Sequence, residues 1–307
     1  MTAAEARDPA YVALAESGEL PRRARAAVAE LAHCRHCPHE CGVDRTAGQV
    51  GRCGTGRRAV VASYGPHYGE ESVLVGRHGS GTVFFSHCNL GCVFCQNHDI
   101  SHGGEGQAAS ADELALVFLR LQRMRCHNLN LVSPTHVLGP ILEALALAAP
   151  LGLRLPIVWN CGGYECAHAL ELLDGLVDVY MPDAKYQDPD SAERLSGARG
   201  YPEVNRAALR EMHRQVGVLR TDGSGVAVRG LLLRHLVLPN DLAGSGELAR
   251  FVSTELSPDT FVNVMAQYRP CHMAHSYPDI ARRTSTAEFL AARDGFRAAG
   301  LHRLDGE

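Results

Sequence analysis

Six short β-rich runs, each followed by a stretch with helical spacing, narrow the possible folds of this chain more than any other feature. The runs are TVFFS (82–86), LNLVS (129–133), LPIVW (155–159), VDVYM (177–181), LLLRHLVL (231–238) and FVNVM (261–265). Strands alternating with helices predict right-handed βαβ units and a parallel sheet. Six units fall short of the usual eight-stranded closed barrel, so an α/β fold built as an open or partial barrel is expected. Ligands in such folds gather at the carboxyl ends of the strands. The residues to watch are therefore HCNLGCVFCQN, SPTH, NCGGYE, PDAKY, PND and AQYRPC, which follow the six runs in order.

Ahead of this alternation, residues 8–33 read as one or two amphipathic helices, with Pro21 suited to a first turn. The next stretch, Cys34 to about Gly56, is rich in Cys, Gly and His and has too little apolar periodicity to form a core. The expected division is a helical, Cys-rich lobe over 1–58 and the barrel over 59–307. Of the 307 residues 46% are apolar and 21% charged, the balance of a globular protein. A net charge of -4 with scattered Arg argues against a nucleic-acid partner. No run of about 18 apolar residues predicts a membrane span. The start, MTAAEARDPAYVALAESGELPRR, lacks a basic region followed by an apolar one, so a cytoplasmic location is expected. In a reducing compartment eleven Cys signal metal or redox chemistry before disulfides.

The Cys fall into two constellations. Cys88, Cys92 and Cys95 form a C-x3-C-x2-C pattern directly after the first run. Three thiolates can occupy three irons of a cubane and leave the fourth iron open for a ligand. Zinc completed by His87 or His98, or plain buried thiols, are the competing readings; the place after a first barrel strand favours the cluster. Cys34, Cys37, Cys41 and Cys53 lie within one small segment that lacks a core. Metal binding can supply the missing folding free energy there, through four-Cys zinc or a second iron–sulfur cluster. His33, His36 and His39 are interleaved and could replace a Cys. A structural role fits this set, and electron relay remains open. Cys126, Cys161, Cys166 and Cys271 default to small buried hydrophobes, although Cys161 and Cys271 fall at strand ends. Lys185 is the only Lys among 30 basic residues, a compact point charge where Arg is otherwise written.

The loop GSGTVFFSHCNLGCVFCQNHDIS, with Phe94 just before the last Cys, resembles the signature of the radical S-adenosylmethionine superfamily. Within it the similarity is to the branch of pyruvate formate-lyase activating enzyme. The blocks NLVSPTH, LPIVWNCGGYE, VDVYMPDAKY, GLLLRHLVLPN and VNVMAQYRP extend that resemblance over nearly all of residues 30–300. It implies a partial (β/α)6 barrel and a 4Fe-4S cluster on Cys88, Cys92 and Cys95 that reductively cleaves S-adenosylmethionine. The 5'-deoxyadenosyl radical so released would abstract hydrogen, which makes the chain an oxidoreductase. A reduced flavodoxin or ferredoxin is the implied donor.

The resemblance also suggests which residues meet the cofactor. Ser133 and Thr135 stand where many relatives carry Gly-Gly-Glu for the methionine amino group; Thr135 as a helix cap is the competing reading. Asn160 aligns with a position that meets the ribose or the methionine group. Asp183 and Lys185 resemble the Asp-x-Lys of the activating enzymes, where the Lys faces the cofactor carboxylate. Arg234 and His235 alternate along a strand, so at most one faces the interior. Gln267 and Tyr268 would close the site around the adenosine. The loop 101–110 is short and Cys-free, so no ferredoxin-like insertion is expected there. The substrate could be a glycine in a partner protein, a peptide or a small molecule. An iron–sulfur electron carrier and a metal-stabilised binding module are the readings from other classes.

Overall fold

The computed structural model describes residues 8–306; the outermost residues of both expected units, 1–7 and 307, lie outside it. The strands are β1 (Ala59–His67), β2 (Ser80–Phe85), β3 (Gln107–Ala109), β4 (Leu129–Val132), β5 (Ile157–Cys161), β6 (Val179–Pro182), β7 (Arg220–Thr221), β8 (Ala227–Leu236) and β9 (Phe261–Met265). They form one sheet in the order β3-β1-β2-β4-β5-β6-β8-β7, with β9 pairing β8. The six runs read from the sequence are β2, β4, β5, β6, β8 and β9, and every pairing among them is parallel. This is the expected partial barrel. The additional strands pair antiparallel: β1 on β2, β3 on β1 and β7 on β8.

Alternation along the strands separates two faces. Val83, Leu129, Leu131, Ile157, Trp159, Tyr180, Leu231, Leu233 and Val262 belong to the large core shared with the surrounding helices. Val158, Val179, Met181 and Leu232 point the other way and form a small apolar plug with Leu74 and Leu219. The barrel is thus sealed at its base and polar toward its carboxyl end.

The helix Ala111–Arg123 illustrates how the outer layer is fixed. Ser110 accepts from the Glu113 amide at 3.2 Å, while the Glu113 carboxylate accepts from the Ser110 amide at 2.8 Å. Such a capping box is worth about 1 kcal/mol, and the helix then buries Leu114, Ala115, Phe118, Leu119 and Leu121. Truncating Phe118 would cost about 3–5 kcal/mol.

The helices Tyr11–Glu16 and Glu19–Ala29 bury Tyr11, Val12, Leu20, Ala24 and Ala27 in the barrel's own core. Residues 34–58, by contrast, contain no helix or strand. Among the described residues no helix is long and apolar enough to cross a membrane.

Candidate cofactor site at the carboxyl ends of the strands

Just past the end of β2, His87 adopts a positive φ of 68° and turns the chain into the Cys loop. Cys88, Cys92 and Cys95 line a cavity of about 170 Å³ together with Ser133, Asn160, Cys161, Asp183, Lys185 and Arg234. A second cavity of about 220 Å³ shares Cys92, Cys95, Asp183, Lys185 and Arg234 and adds Met265, Gln267 and Tyr268. The two are ends of one cleft. Each sulfur accepts a hydrogen bond: Cys88 from the Leu90 amide at 3.3 Å, Cys92 from Ser196 Oγ at 2.9 Å and Cys95 from Ser101 Oγ at 3.1 Å.

These donors suit thiolates, which can only accept. Burial pushes the Cys88 thiol up to about 12, a cost that metal coordination offsets. Among the described residues no three His, Cys, Asp or Glu side chains are placed to hold a single metal ion. Three thiols on one short loop suit three ligated irons of a cubane. His98 stacks on His272, with ring centroids 5.0 Å apart.

Two adjacent glycines let the neighbouring loops close around the Cys loop. A Cβ on Gly162 would lie 2.6 Å from Leu90 Cδ1, and one on Gly163, at φ 70°, only 2.0 Å from the Asp183 carbonyl oxygen. Neither position admits a side chain without moving the Cys loop or the end of β6.

Opposite the sulfurs runs a chain of charges. Lys185 Nζ donates to Asp183 Oδ2 at 2.6 Å, and Arg234 Nε donates to Asp183 Oδ1 at 2.9 Å. Arg234 also lies 3.9 Å from Glu71 Oε1, which accepts from Asn263 Nδ2 at 3.0 Å. Burial works to raise Asp183, but Arg234 and Lys185 hold its carboxyl below the ordinary value. Burial likewise opposes the Lys185 charge, yet Asp183 and Cys92 raise its affinity for the proton. Beside Glu71, burial pushes Glu70 up to about 7, with Arg234 opposing and Glu71 adding.

The other residues singled out in the sequence divide. Ser133 lines the cleft in the left-handed region, at φ 56°, and its amide donates to the Asn160 carbonyl at 2.8 Å. Asn160 is 3% exposed and lines the same cleft. Arg234 faces the interior; His235 points outward, between the Ala184 carbonyl and Ser245 Oγ, each at 2.8 Å. Gln267 and Tyr268 line the outer end. Thr135 departs from expectation. It is buried away from the cleft, because its hydroxyl donates to the Glu165 carboxylate.

Sequence reasoning missed Ser101, Ser196 and Glu71. The helix Pro189–Ser196 could have been found from its Asp188 cap and Pro at the first position. Nothing in the Gly-Glu-Glu stretch at 69–71 announces that Glu71 reaches Arg234.

The N-terminal Cys set is unequally exposed. Cys34 and Cys37 are buried and Cys53 is half-buried, but Cys41 is exposed. His39 Nε2 lies 2.8 Å from the Asn89 carbonyl oxygen, so the lobe is tied to the Cys88 loop. Cys53 and Cys88 line one further cavity, of about 310 Å³.

A sequence profile described as the radical SAM superfamily matches residues 82–225, from β2 to the turn before β8. An uncharacterized protein of Methanocaldococcus jannaschii is 35% identical over 270 residues, which span 85% of this chain and 73% of that protein. The chain belongs to the radical SAM superfamily. Among solved structures, a radical SAM methyltransferase from Sphaerobacter thermophilus matches with a TM-score of 0.49 and 16% identity, covering 96% of this chain and 92% of that one. SuiB of Streptococcus suis, bound to precursor peptide SuiA, matches with a TM-score of 0.46 and 12% identity, covering 68% of this chain and 42% of that one. Radical SAM membership implies a 4Fe-4S cluster, S-adenosylmethionine and a source of electrons. Within the matched stretch, Cys88, Cys92, Cys95 and Cys161 line the cleft.

Proposed function

We propose that this radical SAM enzyme binds its cluster through Cys88, Cys92 and Cys95 and its S-adenosylmethionine in the cleft beside them. The observation that carries the reading is the shared cavity wall: three hydrogen-bonded sulfurs on one side, the Asp183–Lys185–Arg234 chain on the other. When bound, the cluster supplies one electron to S-adenosylmethionine and so the 5'-deoxyadenosyl radical that abstracts hydrogen.

The protein's own groups orient and shield. Asp183 is shared between Lys185 and Arg234, and Arg234 also lies beside Glu71. Lys185 is placed to meet the cofactor carboxylate as a point charge, and the Ser133 hydroxyl can accept from its ammonium. Asn160 offers an amide to the ribose or the methionine group, and Gln267 and Tyr268 border the adenosine. Ser196 and Ser101 stabilise the thiolates of Cys92 and Cys95 by donating to them.

Hydrogen abstraction from a glycine of a partner protein follows from the activating-enzyme resemblance; a peptide or a small molecule fits the same scaffold. A reduced flavodoxin or ferredoxin is the proposed donor. Protein purified without oxygen, reconstituted with iron and sulfide and given dithionite and S-adenosylmethionine should form 5'-deoxyadenosine, and Cys92→Ala should not. A fully clustered protein that forms none, with or without candidate substrates, would favour an iron–sulfur electron carrier instead.

A further inference from the structure

The helix Pro189–Ser196 ends against the Cys loop and grips it from behind. The Gly91 amide donates to the Ser196 carbonyl at 2.9 Å, and the Val93 amide to the Leu195 carbonyl at 2.8 Å. The last carbonyls of a helix have no partner within it, and here the two amides that flank Cys92 serve them. One helix end thus holds Cys92 on both sides. From that same end the Ser196 hydroxyl donates to Cys92 Sγ at 2.9 Å.

Behind Ser196 stands Tyr186, whose hydroxyl lies 2.7 Å from Ser196 Oγ. The distance is the same whichever oxygen donates, but the chemistry decides. A serine hydroxyl carries one proton, and a thiolate can only accept. With Cys92 ionised, the Ser196 proton belongs to the sulfur, so Tyr186 donates and Ser196 accepts. Tyr186, Ser196 and Cys92 are all buried, which keeps water from competing for these bonds. The Tyr186 ring is fixed by edge contacts with Phe94 and Tyr201, at centroid distances of 6.4 and 5.5 Å. The other two sulfurs are served differently. Cys88 accepts from the Leu90 amide, and Cys95 from Ser101, a half-buried residue.

Hydrogen bonds to the sulfurs of an iron–sulfur cluster tune its reduction potential, because they stabilise the form that carries more negative charge. A donor that is itself hydrogen-bonded from behind is polarised and donates more strongly, most of all away from water. We propose that Tyr186, acting through Ser196, raises the reduction potential of the cluster that Cys92 would ligate. Tyr186 orients and polarises Ser196, which makes it a positioning residue. This role rests on the cluster assignment made above, and the potential reports it without turnover.

Tyr186→Phe keeps the ring between Phe94 and Tyr201 and removes the hydroxyl. The full-length protein, reconstituted without oxygen and free of S-adenosylmethionine, is reduced stepwise and followed by electron paramagnetic resonance. Tyr186→Phe should match the parent in iron, about four per cluster, and have a lower midpoint potential. Ser196→Ala should lower it further, and adding Tyr186→Phe to Ser196→Ala should bring no additional shift. 3-Fluorotyrosine in place of Tyr186, a stronger donor of nearly the same size, should move the potential the opposite way, which a packing defect would not do. An unmoved potential in Tyr186→Phe, or the same shift on the Ser196→Ala background, would overturn the role of Tyr186 and leave the cluster assignment standing. A cluster signal that survives Cys88→Ala/Cys92→Ala/Cys95→Ala would sink the cluster assignment itself, and the role of Tyr186 with it.

Discussion

Cys88, Cys92 and Cys95 sit on a loop carried by a finished barrel, while Cys34, Cys37 and Cys53 sit in a segment that has no regular structure. Around the first set the scaffold is well packed: β2, β4, β5 and β6 are buried on both faces, and serine hydroxyls donate to two of the sulfurs. Around the second set there is no regular structure, and the thiol of Cys166, from the loop after β5, donates to the Arg35 carbonyl there. Metal loss should cost chemistry at the barrel and folding free energy at the lobe.

The widest separation between the two regions should appear in turnover. Cys92→Ala is expected to lower 5'-deoxyadenosine formation by at least about a thousandfold, because it removes a ligand of the electron-delivering group. Its melting temperature should stay within a few degrees of the parent under the same conditions. A variant that both melts early and cleaves the cofactor normally would reverse the roles drawn here.

Cys37→Ala makes the complementary case. Metal-thiolate binding is folding free energy in lobes without a core, so a loss of several kcal/mol, or roughly 6–10 °C in melting temperature, is expected for a chain of this size. Chelation of the reconstituted parent should produce a similar drop, confined by hydrogen exchange to residues 34–58. If the lobe stays protected after its metal is stripped, packing and not metal holds it together.

These two regions were also unequally legible. The barrel strands were readable because runs such as LPIVW and VDVYM are buried on both faces, which writes a continuous apolar signal into the sequence. β1 escaped because, beyond its short antiparallel pairing with β3 at Ala59–Val61, Ser63 and Tyr64 are exposed and break the pattern. The C-x3-C-x2-C loop was readable because its ligands are local. What was missed is long-range: Ser196 reaches Cys92 across 104 positions, Cys166 reaches Arg35 across 131, and Glu71 reaches Asn263 across 192. Spacing favoured Cys41 for the lobe for the same reason, since local sequence cannot show that its side chain turns outward. Thr135 follows only from the resemblance at SPTH, and the sequence does not show that its hydroxyl donates to the buried Glu165 carboxylate.

A smaller effect should distinguish binding from iron content within the barrel. Lys185→Met removes the ammonium but not the thiols, and leaves Asp183 to pair with Arg234 alone. S-adenosylmethionine affinity should fall about 10–100-fold, as expected for losing one charge-assisted contact of roughly 1.5–3 kcal/mol. Iron content should not change. Equilibrium binding to the reconstituted, unreduced protein measures this directly, and an unchanged affinity would remove Lys185 from the cofactor site.

The finest test uses pH, to which the polar barrel interior should respond through Glu70. Burial raises this carboxyl from an ordinary 4.5 to about 7, with Glu71 adding and Arg234 opposing. Between those two values the folded chain keeps a proton that the unfolded chain has released. Stability from this group is therefore full below about pH 4.5 and declines as pH rises through 7, by at most about 1 kcal/mol per pH unit. Glu70→Gln cannot lose that proton. Its melting temperature relative to the parent should therefore climb by a few degrees between pH 5 and pH 8, whatever the constant offset the substitution brings. A difference that stays flat across this range would show that Glu70 is already ionised in the folded chain, with Arg234 balancing its charge.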